Sequence, residues 1–212
     1  MLELMRKLSQ AVISGDLEGA AGLAEQLLGD GAAPQDIIDN GLMPGMEYVG
    51  AQFRKGEMFI PEVLLSARAM QKAMDVVKPH LVSGNLPSQG TVVIGTVQGD
   101  LHDIGKNLVR MMLEAAGFTV VDLGIDVPAD RFLEAVKIHR PQVLGLSALL
   151  TTTMRNMAAV IDTLREAGIR QAVKIMVGGA PVTSDFARTI GADGYAPNAV
   201  AAVDLARSLA TS

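Results

Sequence analysis

From residue 91 onward, short runs that are apolar at nearly every position alternate with stretches patterned at three and four. Residues 91–97 read TVVIGTV, and similar strand-length runs follow at 118–123, at 142–147 (QVLGLS) and at 173–177 (VKIMV). A last, shorter candidate lies at 194–196. Helical patterns occupy 104–116, 129–139, 154–167, 186–190 and 199–209 between and after them. A strand that is apolar on both sides must be covered on both faces, and βα alternation supplies the covering helices. This half therefore predicts a five-stranded, doubly wound parallel sheet, an α/β fold of Rossmann-like type.

Before residue 85 the apolar positions follow only a helical rhythm. Leu4, Leu8 and Val12 form one stripe; Leu17, Ala20, Ala24, Leu27 and Leu28 form a second, after a Gly15–Asp16 start signal. Leu42, Met46, Val49 and Phe53 form a third. In residues 61–77 the positions Val63, Leu64, Ala67, Met70, Ala73, Met74 and Val77 share one helix face, with Pro61 where a first helical residue lacks need of an N–H. Four or so short helices with brief connections read as a small bundle. Residues 83–90 (SGNLPSQG) are a turn-rich, uncharged linker. The expected division is a helical domain over 1–84 and an α/β domain over 90–212.

Composition then removes whole classes of chemistry. Cysteine is absent, which excludes disulfides, thiolate zinc sites, iron–sulfur clusters and thiol nucleophiles. With 18 Lys+Arg against 23 Asp+Glu, a net charge of −5 and no basic run, nucleic acid is not an expected partner. The opening MLELMRKLSQAVISGD breaks its apolar positions with charges, and no window approaches about 18 continuous apolar residues. No membrane association and a cytoplasmic location are the expectations. Aromatics are only 3% while methionine reaches 12 residues, an aliphatic and adaptable composition that suits a bulky apolar ligand as well as it suits ordinary helix packing.

Open α/β sheets bind ligands beyond the carboxyl ends of their strands, so the chemistry is sought in the residues that follow each run. The first is followed by QGDLHDIGK (98–106), a polar loop holding one of the chain's three histidines. It is neither a GxxxxGK[ST] loop nor GxGxxG. Asp100 lies two residues before His102 and Asp103 one after it. A carboxylate near a histidine can hold one ring nitrogen and leave the other's lone pair for a metal or a proton. Taken alone, a loop histidine reads as structural. The third run, however, ends in Ser147-Ala-Leu149 and the fourth in Gly178-Gly179. Residues 106–146 give 41 positions between the first and second blocks, and residues 150–177 give 28 between the second and third.

In these three blocks and their gaps, DxHxxG, SxL and GG, the sequence resembles the cobalamin-binding proteins. The resemblance implies that His102 replaces the corrinoid's own nucleotide base as lower ligand to cobalt, with that base displaced into the domain. It implies that Asp100 accepts a hydrogen bond from His102 and that Thr153 completes the relay, so that His102, Asp100 and Thr153 carry the chemistry. Gly99, Leu101, Asp103, Ile104, Gly105, Ser147, Leu149, Thr151, Gly178, Gly179 and Ala199 fall at cofactor-binding positions. Small residues at strand ends, Gly95 included, would let backbone approach a nucleotide tail closely. In the helical half, LMPGMEYVG (42–50), Phe53 and GEMFIPEV (56–63) resemble the cap module of cobalamin-dependent methyltransferases. Phe53, Ile60 and Val63 match positions that line such a cap.

The chain is most similar to free-standing corrinoid proteins of methyltransferase systems that use methylamines, methanol, betaines or methoxylated aromatics. That implies a methyl carrier. Cobalt(I) accepts a methyl group from a substrate held by a substrate-specific methyltransferase, and methyl-cobalt(III) passes it to a second methyltransferase serving a thiol or tetrahydrofolate acceptor. A reductive activation protein completes the set of partners, and the chain alone is not expected to be catalytic. Two rivals stand beside this. A cobalamin-sensing regulator usually carries a DNA-binding segment and an upper-face cap histidine, yet the first 79 residues hold no histidine. The cobalamin subunit of a carbon-skeleton mutase needs no helical cap.

Overall fold

A computed structural model describes residues 1–80 and 89–211. The chain divides into two compact units, Met1–Pro87 and Ser88–Ser212. Most of the linker read at 83–90 lies outside the described residues.

In the first unit, α1 (Leu2–Ser14) ends at Gly15, whose left-handed backbone (φ 70) returns its N–H to Ala11 and Val12. Asp16 then caps α2 (Leu17–Gly29) by accepting the Gly19 N–H at 2.9 Å. A single turn, α3 (Pro34–Ile37), runs through a π-helical turn (Ile38–Leu42) into α4 (Met43–Lys55). Helix α5 (Ile60–Val77) starts where the Glu62 carboxylate accepts the Phe59 N–H at 2.8 Å. The four apolar stripes converge on a core that includes Leu8, Val12, Leu27, Leu42, Val49, Ala67, Met70 and Val77. The short α3 and its π turn are additions to the four helices read from periodicity; four residues cannot display a helical stripe.

The second unit is a five-stranded parallel sheet in the order β2-β1-β3-β4-β5. Its strands are β1 (Thr91–Thr96), β2 (Thr119–Asp122), β3 (Val143–Ser147), β4 (Lys174–Gly178) and β5 (Gly194–Ala196). Helices α6 (Ile104–Ala115) and α10 (Ala199–Ala210) pack together on one face. Helices α7 (Ala129–His139), α8 (Arg155–Glu166) and α9 (Ser184–Ile190) cover the other, where Phe132, Leu144, Met157, Ile161, Leu164 and Ile175 are fully buried. Each such side chain contributes roughly 1.5–3 kcal/mol by leaving water. The order in which strands are added reverses between β1 and β3, the crevice where open sheets of this order bind ligands.

Candidate functional site

The parallel register brings the three sequence blocks to one level. Thr96 pairs with Ser147, Ser147 with Gly178, and Gly178 with Ala196, so the ends of β1, β3, β4 and β5 form a single row at the carboxyl edge. The DxH loop rises from the middle of that row. Its turn is made by Gly99 (φ +82), and the buried Thr96 hydroxyl donates back to the His102 carbonyl at 2.9 Å.

Asp100 is the centre of the site, and no part of it reaches solvent. One carboxylate oxygen accepts the His102 backbone N–H at 3.1 Å and His102 Nδ1–H at 2.7 Å. The other accepts the backbone N–H groups of Leu149 at 2.8 Å and Leu150 at 3.2 Å. It also takes the Thr153 hydroxyl at 2.7 Å, whose single hydrogen has the Leu150 carbonyl as a second acceptor at 2.9 Å. Burial alone would push the carboxyl up. The Thr153, His102 and Leu149 donors outweigh it and hold Asp100 well below the usual carboxylate range. Asp100 is therefore ionised at neutral pH. An ionised carboxylate at Nδ1 requires the hydrogen there, so a neutral His102 keeps its lone pair on Nε2. The His102 side chain is 51% exposed, which leaves that nitrogen reachable.

The loops that follow β1, β2 and β3 expose aliphatic side chains. Leu101 and Ile104 flank His102 in sequence and are 67% and 85% exposed; Leu149 and Leu150 beyond β3 and Ile125 beyond β2 are also exposed. Aliphatic side chains this exposed mark a surface suited to an apolar partner. Among the described residues no three His, Cys, Asp or Glu side chains gather into a metal-holding group. One imidazole cannot hold a bare ion, but it suits a metal already chelated in a broad apolar macrocycle. The donor set and its surroundings thus fit a corrinoid.

The other residues singled out from sequence divide by what their own chain explains. Asp103 immediately precedes α6 and accepts from Asn107 Nδ2 at 3.0 Å. A Cβ at Gly105 would meet open space, whereas one at Gly179 (φ +133) would lie 1.8 Å from the Ala148 carbonyl oxygen. Gly179 is thus required by the backbone of its own domain. Gly95 likewise has an internal reason: a Cβ there would press on the Phe132 ring at 2.8 Å, so this glycine accommodates α7. Thr151 lies exposed in the turn before α8, and Ala199 is the buried first residue of α10 behind the Asn198 cap. In the helical unit Val63 is buried, Phe53 half-buried and Ile60 exposed.

Sequence reasoning missed two residues that brace the loop. Asp126, after β2, accepts the Gly99 N–H at 2.6 Å and donates its own N–H to the Asp100 carbonyl at 3.0 Å. Asn156, in α8, donates Nδ2–H to the Gln98 carbonyl at 2.6 Å. Neither belongs to a spaced motif; the one available signal for Asp126 is its place just ahead of Val127-Pro128, where a chain turns into a helix.

Two family models, each described as a B12 binding domain, match residues 90–204 and residues 4–78. These define the class: a two-domain B12-binding chain. Trimethylamine corrinoid protein 1 of Methanosarcina acetivorans is 47% identical over 209 residues, spanning 98% of this chain and 97% of that protein. The dimethylamine corrinoid protein of Methanosarcina barkeri is 43% identical, over 98% and 97%. Among solved structures, the methanol:cobalamin methyltransferase complex MtaBC from M. barkeri superposes with a TM-score of 0.88 at 36% identity, covering 99% of this chain and 80% of that one. Within its class the chain belongs to the family of corrinoid proteins of methyltransferase systems.

Proposed function

We propose that this protein is a methyl carrier in which His102 Nε2 would hold the cobalt of a corrinoid in place of the corrinoid's own base. When bound, the corrinoid supplies a cobalt centre able to take up and release a methyl group. The observation that carries the reading is the Asp100–His102 pair: a buried, ionised carboxylate fixes the ring through Nδ1 and leaves Nε2 free, in a loop that also exposes Leu101 and Ile104.

The chain's own residues then have distinct tasks. Asp100 orients the imidazole and makes it a better donor, while Thr153 and the Leu149 and Leu150 N–H groups keep that carboxylate from turning away. Ser147, Thr151, Gly178, Gly179 and Ala199 lie along strand and helix ends where a displaced nucleotide tail would run, and Gly99, Asp103 and Gly105 border the ring's approach. Phe53, Ile60 and Val63 belong to the helical unit that we assign as the cap.

Partners follow from what the site lacks. Aliphatic side chains can seat a corrin, but they cannot select or align a small methyl donor, and alignment is worth on the order of 7–11 kcal/mol. We assign that task to a substrate-specific methyltransferase, and transfer onward to a second methyltransferase acting on a thiol or tetrahydrofolate, with a reductive activation protein restoring the carrier. The capture of a relative with its methyltransferase supports the first of these. The test is electron paramagnetic resonance of the cobalt(II) protein reconstituted with aquacobalamin. Splitting from one axial nitrogen should change when histidine is ¹⁵N-labelled; splitting indifferent to that label would end the ligation reading.

A further inference from the structure

We propose that Asp126 is a positioning residue for His102, acting with Asn156 to lock one peptide unit of the DxH loop. The inference rests on His102 as axial ligand and goes beyond the Asp100–Thr153 relay.

The Gln98–Gly99 peptide is gripped at both ends by side chains from different elements. Its carbonyl accepts Asn156 Nδ2–H at 2.6 Å from α8, and its N–H donates to Asp126 Oδ1 at 2.6 Å from the loop after β2. That peptide leads into Gly99, which has no Cβ and a positive φ of 82, the position in the loop where a peptide flip costs least. The next link is held too: the Asp126 N–H donates to the Asp100 carbonyl at 3.0 Å. Asp100 is thus fixed by its main chain from the β2 side and by its carboxylate from the β3 side. A flip at 98–99 would swing the Asp100 backbone and carry His102 with it, although every contact of the carboxylate itself were intact.

Asp126 holds this position in a conformation that costs something. At φ 52 it is one of only two non-glycine residues with positive φ among those described, and the other, Arg140, simply ends α7. Aspartate tolerates the left-handed region better than most residues. The parallel bridge between Val97 and Val127, and the Val127 N–H donated to the Thr96 carbonyl at 3.0 Å, keep the two loops side by side while Asp126 reaches across.

Three substitutions separate the acceptor from the backbone conformation. Asp126→Asn retains an oxygen acceptor and tolerance of positive φ. Asp126→Gly relaxes the backbone but removes the acceptor. Asn156→Ala removes the grip on the carbonyl. In the protein without corrinoid, amide exchange at Gly99 followed by NMR should quicken about tenfold in Asp126→Gly, the equivalent of one lost hydrogen bond, and stay near the parent rate in Asp126→Asn. After reconstitution with aquacobalamin, Asp126→Gly and Asn156→Ala should show a smaller histidine-coordinated fraction in the cobalt(II) resonance and a shifted cobalt(II)/cobalt(I) midpoint, with Asp126→Asn restoring both. A parent protein without histidine splitting would sink the ligation reading itself. Histidine splitting in the parent that is unchanged in Asp126→Gly, or an Asp126→Asn protein as altered as Asp126→Gly, would overturn the positioning role alone.

Discussion

The two edges of the sheet use the same device to opposite ends. At the amino edge, Arg170 bridges the entries to β4 and β5: one guanidinium nitrogen donates to the Gly191 carbonyl at 2.6 Å and to Asp193 Oδ2 at 2.8 Å, the other to the Val173 carbonyl at 3.1 Å. Asp193 also accepts the Ile175 N–H at 2.6 Å, and Gln142 accepts the Thr91 N–H at 2.6 Å. These groups answer one another and close the edge. At the carboxyl edge a carboxylate again gathers donors, here from the loops that follow β1 and β3, but its last donor is an imidazole with a nitrogen to spare. The lesson is that the same clamp either closes on itself or leaves a group available, according to whether its last partner has a second face.

Substitutions can break that contrast, beginning with the largest effect. Gly179→Ala places a Cβ 1.8 Å from the Ala148 carbonyl oxygen, in a backbone conformation (φ +133) that L residues rarely adopt. A loss of about 4 kcal/mol or failure to fold is expected, because backbone rather than a flexible side chain must yield. Chemical denaturation measures it, and a loss under about 1 kcal/mol would mean that the β3 and β4 ends are not rigidly opposed.

Asp100→Asn comes next. Its amide group would turn donors toward donors, with an expected cost of about 2–3 kcal/mol. The sign of the pH dependence follows from the direction of the shift. Folding lowers the Asp100 pKa, so its ionised form contributes stability throughout neutral pH, and this is lost as pH falls below the unfolded-state value of about 3.9 toward the lower folded-state value. The stability gap between the parent and Asp100→Asn should therefore be full at neutral pH and shrink progressively below about pH 4. A gap that is the same at both ends of that range would refute a role for the charge. Arg170→Met, at the other edge, sharpens the comparison with the smallest effect: about 1–2 kcal/mol of stability lost, with corrinoid affinity unchanged by titration.

Much of this was legible in the sequence because it is periodic or spaced. Strands covered on both faces print continuous apolar runs, and the gaps of 41 and 28 positions brought Asp100, Ser147 and Gly178 to one edge of a parallel sheet. Asp126 and Asn156 were not legible. They act on backbone groups of a loop, and a hydrogen bond to a peptide leaves no pattern in the residue that receives it. Gly95 was misleading for a related reason: a missing side chain looks the same whether a ligand or Phe132 fills the space.

The hydrogen bonds around Asp100 also fix when this site can come into being as the chain is made. Its donors Leu149, Leu150 and Thr153 lie 49, 50 and 53 residues downstream, and β1, central in the sheet, waits equally long for β3. Until about residue 153 has emerged, the Asp100 carboxylate lacks these three donors. Long-range pairing of this kind is closed late and slowly, after the loop entropy has been met. The helical unit, whose residues all precede β1, is synthesised well before then. The geometry that fixes the His102 ring therefore arises in the same cooperative step that closes the sheet, so a nascent or partly unfolded chain holds no oriented imidazole.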